Sequence, residues 1–449
     1  MGVAKVNRIA LPLGPTQRRV PAAPVVNSSA APNRRAAMFN SFSGVITRAI
    51  AGLSRIVVLF LIARAYGPNL FGKVSLAFSV MEIFRSFSEF GLDTIALRKF
   101  SHVAEEQHSE ILSHILTSKI LAAVAFYAVS LGVVALISPE RQVLQFAAVT
   151  SVSLLSANIV GALSSYYQSQ LGMTRTMPWA FLAYTLYVLA SCWAIGSGVS
   201  LVFVLAILPL CELLYFTLLL RQCLHLPRIA AKLSTTFALF RESLPLGIMS
   251  AMIFLYMRFD SIVVYKALGS TALAYYAICF RIVEPVLMVP IAFSTTLLSL
   301  LSGPAGRIGT GAEHRQVFHT TFETLWPAYA FVTLTAIILM LFGRQILSVF
   351  GSQYVEGAAI LKILAMSLFV RTINVTLTTL INSSGRYRVL AQITASNLLV
   401  NIVLVLLLVN RIGLVGAAWA VLGTEAWNTV AQACALSRTQ HAGQGGRWA

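Results

Sequence analysis

The sequence predicts an all-α integral membrane protein with about twelve transmembrane helices, arranged as two pseudo-symmetric six-helix lobes around a central cavity. Of its 449 residues, 57% are hydrophobic and only 11% are charged, whereas about a quarter of the residues in a soluble protein are charged. Twelve stretches are long enough to cross a bilayer, and the second half of the chain carries a weak echo of the first. The net charge of +18 does not indicate a nucleic-acid partner, because the basic residues alternate with apolar spans.

Residues 1–38 come first and are rich in Pro, Ala and Arg, with no acidic residue. Such a composition cannot bury a core, so we predict a disordered, basic, cytoplasmic tail. The tail lacks the compact apolar region of a cleaved signal peptide. We therefore expect the apolar segment that follows to remain as a signal anchor.

Each predicted span has about twenty apolar residues or more, as about 30 Å of hydrocarbon requires. Glycine and proline mark many of the turns between the spans. The predicted spans are 40–66, 73–93, 111–137, 143–168, 178–197, 200–220, 243–266, 271–301, 320–342, 357–381, 389–409 and 413–436.

The distribution of Lys and Arg orients these spans, because cytoplasmic loops hold most of the basic residues of a membrane protein. With both termini inside, cytoplasmic segments hold 20 of the 33 basic residues, with Lys119 counted among them, and the opposite side holds six. We therefore predict both termini in the cytoplasm. The predicted divisions are a tail (1–38), an N-terminal lobe (39–220), a cytoplasmic linker (221–242), a C-terminal lobe (243–436) and a second cytoplasmic tail (437–449).

A shift of 202 positions aligns part of the first helical hairpin with the second half of the chain. It places Arg64-Ala65-Tyr66-Gly67 on Lys266-Ala267-Leu268-Gly269, Phe78 on Phe280, and Glu82 on Glu284. The linker 221–242 lies where a six-plus-six repeat would join. It is either a plain connection or an amphipathic segment along the cytoplasmic membrane surface.

Seven basic and six acidic residues fall inside the predicted spans. Each would cost a few kcal/mol or more if it faced lipid, so such residues normally point into a bundle or an aqueous cavity. Their number predicts a polar pathway. They are Arg48, Arg55, Arg85, Arg258, Arg281, Lys362 and Arg371, with Glu82, Glu89, Glu212, Asp260, Glu284 and Glu425.

Arg48 and Arg55 lie seven residues apart and therefore share one face of the first helix. Two guanidinium groups in a cavity make a good anion site, because the planar fork of arginine matches phosphate oxygens. We predict that both bind substrate and that Arg55 is the deeper one. The alternative for Arg48 is that it extends to the cytoplasmic headgroups.

The second and seventh helices carry further candidates. Glu82, Arg85 and Glu89 have a spacing that predicts an internally neutralised ladder, and Glu82 is also a candidate for ion coupling. Arg258 and Asp260 point to different sides of their helix and cannot simply cancel each other. Arg258 is therefore a candidate for substrate binding, and Asp260 for a partner arginine or a coupling cation.

Arg281 and Glu284 lie one turn apart in the eighth helix, directly before Pro285. A proline inside a span permits a bend, which is common where helices move or line a cavity. We predict Arg281 as a substrate-binding residue and Glu284 as an ion-coupling residue. The alternative is a local ion pair at a static kink.

Catalytic and metal-binding motifs are missing from the sequence. No pair of histidines at helical spacing indicates zinc, no P-loop indicates ATP binding, and the five cysteines lack metal-ligand spacing. We therefore predict no enzyme activity, metal or cofactor. Transport would draw on an H⁺ or Na⁺ gradient, on the membrane potential or on the gradient of the substrate.

Residues 63–100 contain a Gly-Pro-x-x-Phe-Gly turn, then Gly-Leu and a basic stretch. This run resembles the first hairpin of the polysaccharide transport family, the Wzx-type flippases of lipid-linked oligosaccharides, although Tyr66 stands where that family typically has Leu. Residues 381–425, with a Gly-Arg turn and a GLVGAA helix start, resemble its eleventh and twelfth helices. The pattern of spans is similar over 39–436.

The resemblance implies a member of the multidrug/oligosaccharidyl-lipid/polysaccharide exporter superfamily in the bacterial inner membrane. The implied substrate is a polyprenyl-diphosphate-linked oligosaccharide for surface or exopolysaccharide synthesis, and the implied partners are membrane lipids and other polysaccharide assembly proteins. Two alternatives stay open. A cation-coupled multidrug exporter of the same superfamily would favour an acidic cavity, and a membrane polysaccharide polymerase or ligase would need a large external catalytic loop.

Overall fold

The computed structural model describes residues 34–103, 105–223, 233–301 and 311–445, which form helices joined by short turns and include no β-strand. The α-helices are α1 (Arg34–Glu89), α2 (Leu92–His102), α3 (His108–Ile137), α4 (Arg141–Ser151), α5 (Ser153–Ser169), α6 (Met173–Gly196), α7 (Leu201–Arg221), α8 (Leu233–Val283), α9 (Met288–Leu301), α10 (Gly311–Ser348), α11 (Ala358–Ser383) and α12 (Tyr387–Gly445). Short 3₁₀ helices lie at Glu105–Gln107, Glu284–Leu287 and Ser352–Gly357.

Nine helical stretches in the described ranges are long and apolar enough to cross a membrane. Three of them have 59, 68 and 51 residues, which is more than twice the twenty or so that one crossing requires. Each of the three contains a non-helical break, at Gly67, at Gly269 and at Ile412-Gly413. Each therefore supplies two crossings, and the total is the predicted twelve.

The breaks in α1 and α8 have the same backbone conformation. The φ and ψ angles are 74° and 175° at Gly67 and 86° and 179° at Gly269, a region that residues with a Cβ atom almost never occupy. These two glycines are also aligned by the 202-residue shift. The echo in the sequence therefore corresponds to one hairpin geometry that is built twice.

The second crossing ends at Glu89, earlier than the predicted span 73–93. Phe90 and Gly91 follow with φ angles of 44° and 70°, and consecutive left-handed residues end a helix. The chain then turns into α2, a helix that the sequence analysis did not predict. Its first turn contains Asp93, so this residue belongs to α2 and not to the second crossing.

Other boundaries also differ from the sequence-based ones. Helix α1 begins at Arg34, inside the predicted tail 1–38, and α12 extends to Gly445, inside the predicted tail 437–449. Residues 1–33 lie outside the described residues. Helix α8 begins at Leu233, inside the predicted linker 221–242, and residues 224–232 lie outside the described residues. Lys119, counted as a loop residue above, lies within α3 and its side chain is fully buried. That placement was wrong, because a lysine whose ammonium group pairs with a carboxylate need not reach the membrane surface.

The end of the bundle that contains Gly67, Gly269 and Gly413 is termed the turn end, and the end where α1 begins is termed the terminus end. Helices α1–α7 form the N-lobe, and α8–α12 form the C-lobe. At the turn end, Tyr354 of the C-lobe is fully buried and donates a hydrogen bond to the carbonyl of Ala63 at 3.1 Å. Its ring packs against that of Phe71, with centroids 6.2 Å apart. The two lobes are therefore closed on each other at this end.

At the terminus end, contacts between the lobes follow a seam between α1–α2 and the start of α8. The hydroxyls of Ser86 and Ser250 lie 2.9 Å apart, and a Cβ atom at Gly247 would lie 2.7 Å from the ring of Phe90. Gly247 thus makes room for an N-lobe side chain that ends the second crossing.

Candidate functional site

A layer of ionisable side chains crosses the middle of the bundle. Each lies 11 to 15 residues along its helix from a turn-end break or helix start, which corresponds to about 17–23 Å at about 1.5 Å per residue. The layer contains Arg55, Glu82, Glu212, Arg258, Arg281, Glu284, Arg371 and Glu425. These groups are placed at the depth where ionised residues are most costly unless they are paired.

Four members of the layer form a cluster between the lobes, termed the cross-lobe cluster. Arg258 Nε lies 2.5 Å from Glu82 Oε2, and Arg258 Nη1 lies 2.8 Å from Glu284 Oε1. Arg281 Nη1 is more distant, at 3.9 Å from Glu82 and 3.8 Å from Glu284. Glu82 belongs to the N-lobe and the other three to the C-lobe, so this carboxylate links the lobes electrostatically.

The cross-lobe cluster corrects the ladder predicted for the second helix. Arg85 Nε does pair with Glu89, at 2.9 Å, but Glu82 turns toward α8 instead. Helical spacing identifies which residues share a face, whereas it cannot reveal that a neighbouring helix presents a closer guanidinium group to one of them.

The N-lobe contains a second buried ion pair. Arg55 Nη2 lies 2.6 Å from Glu212 Oε1, and Ser156 donates a hydrogen bond to Glu212 Oε2 at 2.5 Å. The Glu212 side chain is 1% exposed, whereas that of Arg55 is 23% exposed. The arginine predicted to bind substrate is therefore already neutralised by an acid to which the sequence analysis gave no role.

A cavity of about 330 Å³ lies beside this pair and is termed the N-lobe cavity. Six charged residues line it, and they are Arg48, Arg55, Arg85, Glu89, Asp93 and Glu212. Within the described residues Arg48 forms no ion pair, whereas the other five each have an oppositely charged partner. Its guanidinium lies back over Gly44, where a Cβ atom would be 3.7 Å from Nη2.

The ion pair of Asp93 and Lys119 lies at the wall of the N-lobe cavity, which Asp93 lines. The Lys119 ammonium contacts the Asp93 carboxylate, and Ser165 donates to the same carboxylate at 3.1 Å. A Cβ atom at Gly161 would lie only 2.9 Å from Lys119 Nζ, so a larger residue there would displace the ammonium group. A lysine inside an otherwise apolar span is the signal by which the sequence could have revealed this pair.

The C-lobe contains a comparable pair in Arg371 and Glu425. Arg371 Nε lies 3.0 Å from Glu425 Oε1, Tyr256 donates to the same oxygen at 2.6 Å, and Asn374 donates to Oε2 at 2.8 Å. The pair lines a cavity of about 450 Å³, termed the C-lobe cavity. The carboxylate therefore has three side-chain partners, one from α8 and two from α11.

Asp260 is the acid of the layer region that has no basic partner within the described residues. It is 3% exposed, accepts a hydrogen bond from the backbone N–H of Ser261 at 2.6 Å, and also accepts one from the Tyr276 hydroxyl. A void of about 10 Å³ beside it is bordered by Ser75 and Ser79 of the N-lobe. A void of this size holds about one water-sized particle.

The predicted site residues are thus divided among several places. Arg258, Arg281, Glu82 and Glu284 are brought together, and Arg48 and Arg55 line the N-lobe cavity. Asp260 borders the same small void as Arg258 and Arg281 but forms no ion pair within the described residues. The predicted excess of bases disappears, because Lys362 is exposed near the start of α11, while Lys119 and Asp93 join the interior groups. With Arg48 counted because it lines the N-lobe cavity, although it is exposed, the described spans then have seven bases and seven acids.

Two family models match the sequence. One is described as polysaccharide biosynthesis protein and matches residues 37–299, and the other is described as MatE and matches residues 245–407. No curated protein sequence matches the chain.

Solved structures of membrane transporters are similar to the fold. The structure of the lipid II flippase MurJ in an inward closed conformation has a TM-score of 0.72 at 14% identity, over 88% of this chain and 87% of its own. An inward-facing multidrug resistance MATE family transporter of the MOP superfamily has a TM-score of 0.72 at 15% identity. The similarity covers 88% of this chain and 96% of the transporter. An outward-facing transporter of the same family has a TM-score of 0.61 at 14% identity, and the similarity covers 92% of this chain and 97% of that transporter. These neighbours have the same two-lobe arrangement of twelve crossings.

Proposed function

Because the chain belongs to the polysaccharide biosynthesis protein family, within the multidrug/oligosaccharidyl-lipid/polysaccharide exporter superfamily of membrane transporters, we propose that it is a flippase for an oligosaccharide carried on a polyprenyl diphosphate. It turns this lipid over from the cytoplasmic to the external leaflet of a bacterial inner membrane, for surface or exopolysaccharide synthesis. The terminus end faces the cytoplasm in this proposal, as the distribution of basic residues predicts.

The proposal rests on one observation, the guanidinium group of Arg48 without a carboxylate partner. Its guanidinium lines a polar cavity and has no carboxylate partner in the described structure, so its donors are available to an anionic ligand. Arg85 uses Nε for Glu89, which leaves its two terminal nitrogens for the same ligand. Guanidinium groups bind phosphate oxygens in a bidentate manner, and a diphosphate offers several such oxygens.

Arg258 and Arg281 enter the mechanism by an exchange of partners. Both are held by Glu82 and Glu284, so a diphosphate can reach them only by replacing these carboxylates. Loss of the Glu82 contact would remove the electrostatic link between the lobes in the cross-lobe cluster. Substrate binding and lobe movement are thereby coupled, as alternating access requires.

Asp260 is our proposal for the residue that couples transport to an H⁺ or Na⁺ gradient. Unlike Glu82 and Glu284, it has no arginine within ion-pair distance, and oxygen atoms of Ser261 and Tyr276 already surround it. Oxygen ligands of this kind suit a hard cation, and protonation would serve equally for H⁺. Glu82 and Glu284 become available for this role only when their arginines are released.

A cation-coupled multidrug exporter is the second candidate. The MatE model matches residues 245–407, and Asp260 in that region is an acid without a basic partner, which suits a cationic substrate. A polysaccharide polymerase or ligase has less support, because the described turn-end connections, such as Ser138–Glu140 and Ser197–Ser200, are too short to hold a catalytic loop.

Deletion of the gene tests the proposal in cells. We expect the lipid-linked oligosaccharide to accumulate in the cytoplasmic leaflet and the wild-type gene to restore its delivery, whereas the gene for Arg48→Gln restores it poorly. Normal delivery in the deletion strain, with no second flippase present, would contradict the proposal.

Proteoliposomes separate the two candidates. Purified protein is tested with a fluorescent lipid diphosphate that carries a saccharide and, in parallel, with a cationic dye under an imposed H⁺ or Na⁺ gradient. Turnover of the lipid without movement of the dye supports the flippase, and the reverse result supports the exporter.

A further inference from the structure

The C-lobe cavity differs in chemistry from the N-lobe cavity, and we propose that it binds an uncharged saccharide portion of the transported lipid. This inference rests on the proposed function and adds a second binding site to it. The cavity holds about 450 Å³ and has one apolar wall and one polar wall.

The apolar wall comes from α8, α9 and the 3₁₀ helix between them. Its residues are aliphatic or thioether side chains, namely Ile253, Met257, Leu287, Ile291 and Leu298. Ser294 and Thr295 of α9 also line this side, and their hydroxyls donate to backbone carbonyls of the same helix. The aliphatic part of the wall packs well against the C–H face of a sugar ring, which is also apolar. The contact removes apolar surface from water on both sides.

The polar wall comes from α11 and α12 and keeps hydrogen-bonding groups free. Asn382 makes no side-chain hydrogen bond within the described residues, and Asn428 uses only its Oδ1 atom, which accepts from Gln432 at 2.8 Å. Thr378 lies one turn before Asn382 and thus on the same face. Amide groups both donate and accept, and so match the mixed donor and acceptor character of sugar hydroxyls.

The charges of the C-lobe cavity are already satisfied. Arg371 and Glu425 neutralise each other, and the acid also accepts bonds from Tyr256 and Asn374. A charged sugar would therefore meet no free counter-charge here, and burying an unpaired charge is strongly unfavourable. The cavity is thus suited to neutral sugars, whereas the N-lobe cavity with Arg48 is suited to the diphosphate.

Binding to the purified full-length protein tests this division. The probes are farnesyl diphosphate, the same lipid diphosphate carrying one glucose, and the same lipid diphosphate carrying one glucuronate. The variants are Asn382→Leu and Asn428→Leu, singly and together, with Asn410→Leu as the matched control. Asn410 is exposed at the turn end, away from both cavities. Equal melting temperatures establish that all variants fold.

We expect wild-type protein to bind the glucose probe about tenfold more tightly than farnesyl diphosphate, a difference of about 1.4 kcal/mol, because the saccharide adds net hydrogen bonds to the amides. The double variant loses this preference, Asn410→Leu keeps it, and the glucuronate probe gains no preference. Arg48→Gln weakens all three probes by the same factor, because it acts on the diphosphate.

Two further outcomes distinguish the inference from the proposed function. If the wild type binds all probes equally, if the Asn382 and Asn428 variants behave like Asn410→Leu, or if the glucuronate probe binds best, the inference is overturned while the flippase proposal stands. If the wild type binds none of the diphosphates, both are overturned.

Discussion

The two lobes place the same kind of ion pair at the same depth but surround it with different cavities. Glu212 in the N-lobe and Glu425 in the C-lobe each lie about three turns into the last crossing of their lobe, and each faces an arginine. Beside the first pair the N-lobe cavity contains the unpaired Arg48. Beside the second, the C-lobe cavity offers amides and aliphatic side chains.

The comparison separates what the repeat needs for stability from what transport needs. A buried charge without a partner is costly in either lobe, so an ion pair is present at this depth in both halves. The cavity walls have no such requirement and can diverge. Residues that differ between the lobes are therefore better candidates for substrate recognition than residues that correspond.

The largest expected effect tests whether the Arg371–Glu425 and Arg55–Glu212 ion pairs contribute equally to stability. Glu425→Ala leaves Arg371 as a buried charge without a partner and removes an acceptor from Tyr256 and Asn374. We expect a loss of about 3–5 kcal/mol in the free energy of unfolding, measured by denaturation in detergent. Glu212→Ala should lose somewhat less, because fewer side chains depend on that carboxylate.

A matched control for this experiment is Glu242→Ala. Glu242 pairs with Lys99 at 2.9 Å, but both side chains are more than a third exposed, and an exposed pair contributes about 0–1 kcal/mol. If all three variants lose similar small amounts, burial does not govern these pairs and the comparison of the lobes fails.

The next prediction compares Arg48, which has no ion-pair partner in the described structure, with Arg371, which pairs with Glu425. Arg48→Gln is expected to lower transport about tenfold to a hundredfold, since charge-assisted hydrogen bonds contribute about 1.5–3 kcal/mol, and to leave the melting temperature unchanged. Arg371→Gln should lower the melting temperature, because it strips Glu425 of its counter-charge. Transport in proteoliposomes and unfolding in detergent measure the two properties. A loss of stability in Arg48→Gln would mean that Arg48 is structural.

The smallest expected effect concerns the link between the lobes. In a variant with the native cysteines replaced by alanine, Ser86→Cys and Ser250→Cys form a cross-link across the terminus-end seam, because their hydroxyls lie 2.9 Å apart. Addition of Glu82→Gln removes the charge that holds Arg258. The cross-link yield should then fall a few-fold, as expected for a shift of about 1 kcal/mol in a two-state equilibrium.

The turn end supplies the control for the cross-linking experiment. Asn69→Cys with Ser270→Cys probes a contact of 2.8 Å between the lobes, far from Glu82 along α1. When Glu82→Gln is added, the yield of this turn-end cross-link should stay unchanged while the yield of the cross-link at the seam falls. Equal losses at both ends would indicate a general loosening of the fold rather than a release of the cross-lobe cluster.

Most of the fold follows from local properties of the sequence. Apolar length against bilayer thickness gave the twelve crossings, and Gly67 and Gly269 were identifiable as turns because a break of this conformation requires glycine. The site was less predictable. The spacing of Glu82, Arg85 and Glu89 suggested a ladder within one helix, and no pattern in the sequence indicated that the chain would turn at Phe90 and Gly91 and begin a new helix at Leu92.

By itself, the sequence determined the membrane class, the number of crossings and the residues that must avoid lipid, because each depends on the transfer of a local segment from water to hydrocarbon. The tertiary structure alone decided the partners. Arg55 meets Glu212 across 157 positions, and Tyr256 meets Glu425 across 169. Such contacts depend on how each helix is rotated when it packs against its neighbours. That rotation, which local hydrophobicity does not specify, left the exposed Arg48, at the wall of the N-lobe cavity, and the buried Asp260 without an oppositely charged partner among the described residues.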